Sequence, residues 1–224
     1  LDGYRSQSRY ELWNLNAGLK KEWESGTYLR VSGFYNDSNY DLPGYLSYDE
    51  WKSDPRKSNA WLDNYWRATY GLNVTFNAQL NEENAIRTTG TFSNRKMDAY
   101  QCGMGWESES SYDIYACKLK SEWINSTDVL GFENEFLLGV QYAYETLDGD
   151  TSYNGSASAN DYNRQLMDFF AQDTFRFTDK IALQLGGRYS RAWAYNNQAT
   201  PERKNAHVGA ADVALVVNPT DDAK

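Results

Sequence analysis

Several residue types that support common protein functions are scarce among the 224 residues of this sequence. It has one histidine, His207, so it offers neither a histidine-based catalytic dyad nor a multi-histidine metal site. Its formal net charge of -9 argues against nucleic acid as a partner, because phosphates are engaged by basic grooves. It contains no run of about 18 apolar residues, which excludes a helical membrane protein. We expect no catalytic residue, no metal and no cofactor.

Aromatic residues, by contrast, are abundant. They make up 16% of the chain, with 18 tyrosines and 8 tryptophans, while hydrophobic residues of all kinds reach only 41%. A soluble protein of this polarity buries its aromatic side chains, whereas a β-barrel in a membrane spreads them in girdles at both interfaces and keeps a polar lumen. The composition therefore favours a barrel, in which only alternate residues of each strand face lipid.

Nine stretches of the chain alternate apolar and polar residues in the manner of β-strands. The alternation predicts one set of side chains that faces lipid and another that faces a lumen. The lipid-facing set includes Leu15, Leu72, Val140, Leu183 and Leu185, and the lumen-facing set includes Asn16, Asn73, Gln141, Gln184 and Arg188. Asp173 is an exception, because its parity places a carboxylate toward lipid close to a turn.

The connections between these stretches are predicted to alternate between tight turns and long polar loops at 40–64, 101–111, 148–161 and 196–205. This asymmetry is typical of an all-β, antiparallel up-and-down transmembrane β-barrel. It argues against a soluble carbohydrate-binding β-sandwich, which alternation alone does not exclude. Bacterial single-chain barrels close with an even number of strands, so about nine strands form part of a larger barrel. We expect residues 1–224 to be one partial barrel domain.

The two cysteines, Cys102 and Cys117, have 14 residues of predicted polar loop between them. In an oxidising compartment this spacing predicts a disulfide that closes the loop, worth roughly 3 kcal/mol for a loop of about 15 residues. The alternative is two separate thiols on adjacent strands.

The predicted loop 40–64 is the longest in the chain and is rich in aromatic side chains. The aromatic candidates for ligand binding are Tyr45, Tyr48, Trp51 and Trp61 in this loop, with Trp106 in the loop between the cysteines. Rigid amphipathic rings are typical of binding surfaces, so ligand binding and packing within the loops are the two interpretations. Arg56 adds a guanidinium that can meet an anionic group of a ligand.

Four segments resemble one family, the TonB-dependent outer-membrane receptors. FFAQDTFRFTDKIALQLGGRYS at 169–190 resembles a late barrel hairpin of this family, and FENEFLLGVQYAYET at 132–146 resembles one of its strands. DLPGYLSYDEWKSDPRKSN at 41–59 is similar to the long loop of siderophore-type members, and NPTDD at 218–222 to a recurrent periplasmic turn. The four segments occur in the family's order across residues 40–224.

The resemblance implies a barrel of about 22 strands in the outer membrane of a Gram-negative bacterium, surrounded by lipid and filled by a plug domain. The plug, the segment that contacts the TonB complex and the last strands are absent from this sequence. The implied function is active import of a ferric siderophore, with no enzymatic activity. The alternatives are import of cobalamin, haem or a glycan by the same kind of receptor, and a passive porin or adhesin barrel.

Overall fold

The structure, a computed structural model, describes residues 5–6, 8–44, 46–58, 63–103, 105–196 and 202–217. Within these ranges the chain forms a nine-stranded sheet and one short helix. The strands are β1 (Tyr10–Glu22), β2 (Tyr28–Asp41), β3 (Asn64–Gln79), β4 (Asn84–Gly103), β5 (Trp106–Val129), β6 (Phe132–Tyr153), β7 (Ser156–Thr178), β8 (Ile181–Asn196) and β9 (Glu202–Val217), and the helix is α1 (Tyr48–Ser53).

Each strand pairs antiparallel with the next strand along the chain, as expected for an up-and-down sheet. A shift of register occurs between Arg176 and Thr178, beside the β7–β8 turn. Most contacts therefore join strands that are neighbours in sequence, and the predicted fold class is confirmed. α1 spans six residues, and no helix in the described ranges is long and apolar enough to cross a membrane.

The register fixes which side chains share a face, because directly opposed residues of an antiparallel pair lie on the same side of the sheet. The pairs place Leu15, Leu72, Val140, Leu183 and Leu185 together, on what is called the apolar face. They place Asn16, Asn73, Gln141, Gln184 and Arg188 on the opposite, polar face. The predicted division of these residues into two sets is confirmed.

The apolar face is open along the described sheet. Leu15 is 66% exposed, Leu72 45% and Val213 73%, while Ala68 and Ala85 are the hydrophobic side chains buried within the described ranges. A β-sandwich would cover one face with a second sheet at about 10 Å. The single layer therefore contradicts the soluble sandwich, and its apolar face is suited to contact with an apolar solvent.

Two of the predicted long loops are wrong, because the strands continue through them. β4 and β5 meet within two residues, 104 and 105, and β6 joins β7 at a turn in which Asn154 and Gly155 both have positive φ, 48° and 78°. β5 has 24 residues, whereas about 9–11 tilted residues cross a bilayer. These polar ends lack alternation because water reaches both of their faces, so their sequences looked like loops.

The predicted Cys102–Cys117 disulfide is wrong for the same reason. Cys102 pairs with Glu107 near the hairpin tip, whereas Cys117 pairs with Phe92, ten positions further along β5 than Glu107. A strand rises about 3.3 Å per residue, so the cysteines lie roughly 30 Å apart, while a disulfide needs Cα atoms about 4.4–6.8 Å apart. Both residues are thiols.

The carboxylate of Asp173 on the apolar face has a hydrogen-bond donor. Asn134 lies on β6 two positions from Phe136, the direct partner of Asp173, and its Nδ2 donates to Asp173 Oδ1 at 2.6 Å. Asn134 itself is only 5% exposed. The amide therefore shields and satisfies the charge that the alternation had left toward lipid.

Candidate ligand-binding loop

Helix α1 begins with a capping box. Ser47 Oγ accepts a hydrogen bond from the Glu50 amide at 3.3 Å, and Glu50 Oε2 accepts one from the Ser47 amide at 3.0 Å. Asp49 and Glu50 lie in the first turn and Lys52 in the last, which suits the helix dipole. The Ser-x-x-Glu spacing is visible in the sequence and predicts this helix start, although the segment reads as a loop by composition.

Tyr48 and Trp51 project from α1 into solvent as a pair. They are three residues apart and lie on one side of the helix, with ring centroids 6.1 Å apart and planes inclined at 33°. Tyr48 is 71% exposed and Trp51 56%, and no residue of α1 is buried. The two rings therefore form one exposed aromatic surface, of the kind that binds ligands by packing.

Arg56 follows the helix and is also exposed. Its amide donates to Asp54 Oδ1 at 3.0 Å in a local turn after α1. Tyr48, Trp51 and Arg56 therefore lie exposed within nine consecutive residues, 48–56. Tyr45 and Trp61, the other two candidates from this loop, lie outside the described residues.

Residues 43–44 and 57–58, called the neck of the loop, are held by polar contacts. The Arg5 guanidinium, from before β1, donates to the carbonyls of Pro43, Gly44 and Lys57 at 2.8 to 3.1 Å. At the base, Asp63 Oδ1 accepts from the Cys102 amide at 2.7 Å, which ties the loop to β4. The loop consequently has fixed ends although its helix has no buried side chain.

Trp106 belongs to a different pair. It begins β5 and stacks on Tyr153 at the end of β6, with centroids 6.5 Å apart and planes at 17°. Two hydrogen bonds between Glu107 and Asn154, of 2.9 and 2.8 Å, hold the same two hairpin tips together. Trp106 is 38% exposed, so the ring both packs a hairpin tip and offers one edge to solvent.

A row of three tyrosines on the polar face was missed by sequence reasoning. Tyr10, Tyr40 and Tyr65 are successive cross-strand partners at the loop ends of β1, β2 and β3. The Tyr40 and Tyr65 rings stack at 4.7 Å, and Tyr10 lies 6.1 Å from Tyr40. Only the register shows that these distant residues are adjacent.

These groups suit noncovalent recognition of a small molecule. Exposed rings supply packing area with little loss of side-chain entropy, and Arg56 supplies a positive charge. Among the described residues, no group of three or more His, Cys, Asp or Glu side chains is placed to hold a metal ion.

The profile of one family, described as TonB dependent receptor-like, beta-barrel, matches residues 3–223. No curated protein matches the sequence.

Solved structures share the fold over nearly the whole chain. The ferric citrate transporter FecA in its unliganded form superposes with a TM-score of 0.87 at 16% identity, over 97% of this chain and 35% of that one. BauA, the ferric preacinetobactin receptor of Acinetobacter baumannii, gives 0.80 at 13% identity, over 98% and 39%. The siderophore receptor PiuA of the same organism gives 0.78 at 13% identity, over 98% and 41%. This chain thus spans well under half the length of these proteins.

Proposed function

Since the chain belongs to the family of TonB-dependent receptor-like β-barrels, we propose that it forms part of an outer-membrane receptor that imports a ferric siderophore. The observation that carries the choice of ligand is the exposed Tyr48–Trp51 pair on a loop whose neck is fixed. FecA is a ferric citrate transporter, BauA a ferric preacinetobactin receptor and PiuA a siderophore receptor, which supports the same class of cargo.

In this proposal the apolar face contacts the lipid of a Gram-negative outer membrane and the polar face lines the lumen. Exposed side chains such as Leu15, Leu72 and Leu138 are then solvated by acyl chains. The polar ends of β4 to β7 rise beyond the bilayer with the loop. Energy reaches the receptor through a TonB complex that contacts residues outside this sequence.

The loop is proposed to meet the cargo first. The rings of Tyr48 and Trp51 pack on the organic shell of the chelate, and Arg56 offsets its negative charge. The Tyr10–Tyr40–Tyr65 row provides a second aromatic platform below, on the lumenal side. The iron keeps the ligands of its chelator, so binding requires no protein donor to the metal.

The test is ferric-chelate binding and uptake by the full-length receptor carrying Trp51→Ala, Arg56→Ala or both. Loss of an aromatic or arginine anchor is expected to weaken binding about tenfold or more, which corresponds to about 1.4 kcal/mol. Lys180→Ala serves as the control, because Lys180 lies in the β7–β8 turn at the other end of the strands.

A panel of ferric citrate, a ferric catecholate, a ferric hydroxamate, cyanocobalamin, haem and an oligosaccharide separates the possible cargoes. Uptake of cobalamin, haem or the oligosaccharide alone would replace the siderophore by another nutrient. Uptake that persists without TonB would indicate a passive barrel. Unchanged binding of every compound in both variants, with the barrel folded, would show that the loop packs and does not recognise cargo.

A further inference from the structure

Arg5 lies outside the candidate loop yet holds both of its arms. Its Nη1 donates to the Gly44 carbonyl at 2.8 Å and its Nη2 to the Pro43 carbonyl at 3.1 Å, on the arm that follows β2. Its Nε and Nη2 donate to the Lys57 carbonyl at 3.1 and 2.9 Å, on the arm that follows α1. One planar group therefore joins two arms of the chain that are 13 positions apart.

Arginine is the side chain that fits this place. Its guanidinium presents five N–H donors in a rigid fork, whereas a lysine ammonium is a point charge with three rotating donors. None of the three carbonyls belongs to a helix or strand of the described chain, where a backbone N–H would pair with it. Ser58 Oγ adds a bond to the Pro43 carbonyl at 3.2 Å, and the Ser6 amide adds one to the Arg56 carbonyl at 2.8 Å.

Helix α1 depends on this neck for its position. It lies between the two arms and has no buried side chain, so packing against the sheet does not hold it. The ion pair between Lys57 and Glu50, at 2.9 Å, links the helix to the arm that Arg5 binds. Fixing the two arms thus fixes the direction in which Tyr48 and Trp51 point.

We infer that Arg5 is a positioning residue, which holds the loop so that the Tyr48–Trp51 surface is preorganised for ligand. The inference rests on the proposed function for the role of that surface. A preformed surface avoids the entropy of ordering a loop during binding, which otherwise reduces affinity. Arg5 itself touches no ligand in this role.

The rate of trypsin cleavage reports how firmly the neck is held, and this assay needs no ligand. The bonds after Arg56 and Lys57 are tryptic sites, and the carbonyls of both residues are bound by Ser6 and Arg5. Arg5→Ala in the full-length receptor should raise the cleavage rate at these two bonds at least tenfold, and Arg5→Lys should restore the wild-type rate only in part. Arg9→Ala is the matched control, because Arg9 directly precedes β1 and its guanidinium binds Glu11 of that strand.

Affinity for a ferric chelate that the wild-type receptor binds measures the positioning role. Arg5→Ala should weaken binding about tenfold with an unchanged unfolding transition of the barrel, and it should add little in a Trp51→Ala background, because both changes remove one surface. Faster cleavage with weaker binding supports the inference. Unchanged cleavage overturns the inference. The proposed function is then judged separately, from the effect of Trp51→Ala on binding. Faster cleavage with unchanged affinity also overturns it, and then the effect of Trp51→Ala alone shows whether the loop recognises cargo.

Discussion

The ring of Phe170 on β7 lies across the backbone of Gly139, its cross-strand partner on β6. A Cβ atom at position 139 would collide with the ring. The polar face repeats this relationship between Phe34 and Gly71 and between Tyr112 and Gly149, which are also directly opposed. In each pair the glycine leaves room for an aromatic ring to cover the sheet, and the contact disfavours any shift of register.

Gly139→Ala is expected to destabilise the barrel by about 1–3 kcal/mol, because the added methyl forces Phe170 from its position. Urea unfolding of the full-length receptor in detergent measures the change. Gly90→Ala is the matched control, since a Cβ there meets no atom within 4 Å and Gly90 also lies within a strand. Equal effects of the two substitutions would mean that the ring contact does not contribute.

A second prediction concerns the buried carboxylate of Asp168. Its side chain is fully buried on the polar face, and its Oδ2 accepts from Arg188 Nη2 at 2.6 Å and from Gln141 Nε2 at 3.0 Å. Arg188→Ala leaves this charge with a single neutral donor, so we expect the free energy of unfolding to fall by about 2–3 kcal/mol. This is less than the usual cost for a fully buried pair, because Arg188 is itself half exposed. Unfolding free energies measure the loss.

The comparison for Arg188 is Arg164→Ala. The Arg164–Glu145 pair, at 3.1 Å, has both side chains substantially exposed, 53% and 36%. Exposed pairs contribute about 0–1 kcal/mol, so the change should be small. A loss at Arg164 as large as that at Arg188 would show that burial of the partner carboxylate does not govern these energies.

A third prediction tests the amide that satisfies Asp173. Asn134→Ala removes the donor to a carboxylate on the apolar face, and hydrogen bonds to charged groups are worth about 1.5–3 kcal/mol. Asn125→Ala removes a similar amide bond to a neutral acceptor, Asn84 Oδ1 at 3.0 Å, and should cost about 0.5–1.5 kcal/mol. The two unfolding free energies, measured side by side, should differ in this order, and the reverse order would contradict the prediction.

Alternation predicted the strands and their faces where one side meets an apolar solvent. On strand β3, which spans Asn64–Gln79, Leu72 and Asn73 lie on opposite faces as expected. The same rule failed in the upper part of β5, where polar residues occupy both faces. Glu107, Glu109 and Ser111 are exposed on one face, and Ser108 and Ser110 lie on the other, so the sequence shows no apolar period of two. Strand ends outside the apolar solvent therefore read as loops.

Contacts between segments that are distant in sequence could not be predicted either. The loop aromatics Tyr48 and Trp51 were predicted as candidates from composition, but the clamp by Arg5 joins positions about 40 to 50 residues apart and has no sequence signal. The tyrosine row requires the register of three strands. The capping box at Ser47 and Glu50 was the one local signal in the loop that predicts its helix.

The cysteines give a fourth prediction. Denatured receptor that has never met a reductant should carry a maleimide group on both Cys102 and Cys117 in its tryptic peptides, because the two residues are thiols in distant rows of the same hairpin. Mass spectrometry locates the labels. Labelling of both residues only after reduction, with none before, would indicate a bridge and would require a different register for β4 and β5.

The last prediction compares two adjacent positions on opposite faces. Leu72 lies on the apolar face and is 45% exposed, whereas Asn73 lies on the polar face. If the apolar face contacts lipid, Leu72→Arg places a charge in the membrane, which costs about 2–4 kcal/mol near the bilayer midplane. Asn73→Arg places the same side chain in a wet lumen, beside Ser32 and Thr91 on the neighbouring strands, and should cost little. The yield of folded receptor in lipid vesicles measures both, and it is read from the fraction that resists unfolding by detergent before heating.

The two variants have the same introduced side chain, on the same strand, at adjacent positions. A loss confined to Leu72→Arg therefore depends on the face alone. Equal losses, or a larger loss for Asn73→Arg, would contradict the proposed membrane orientation of the sheet.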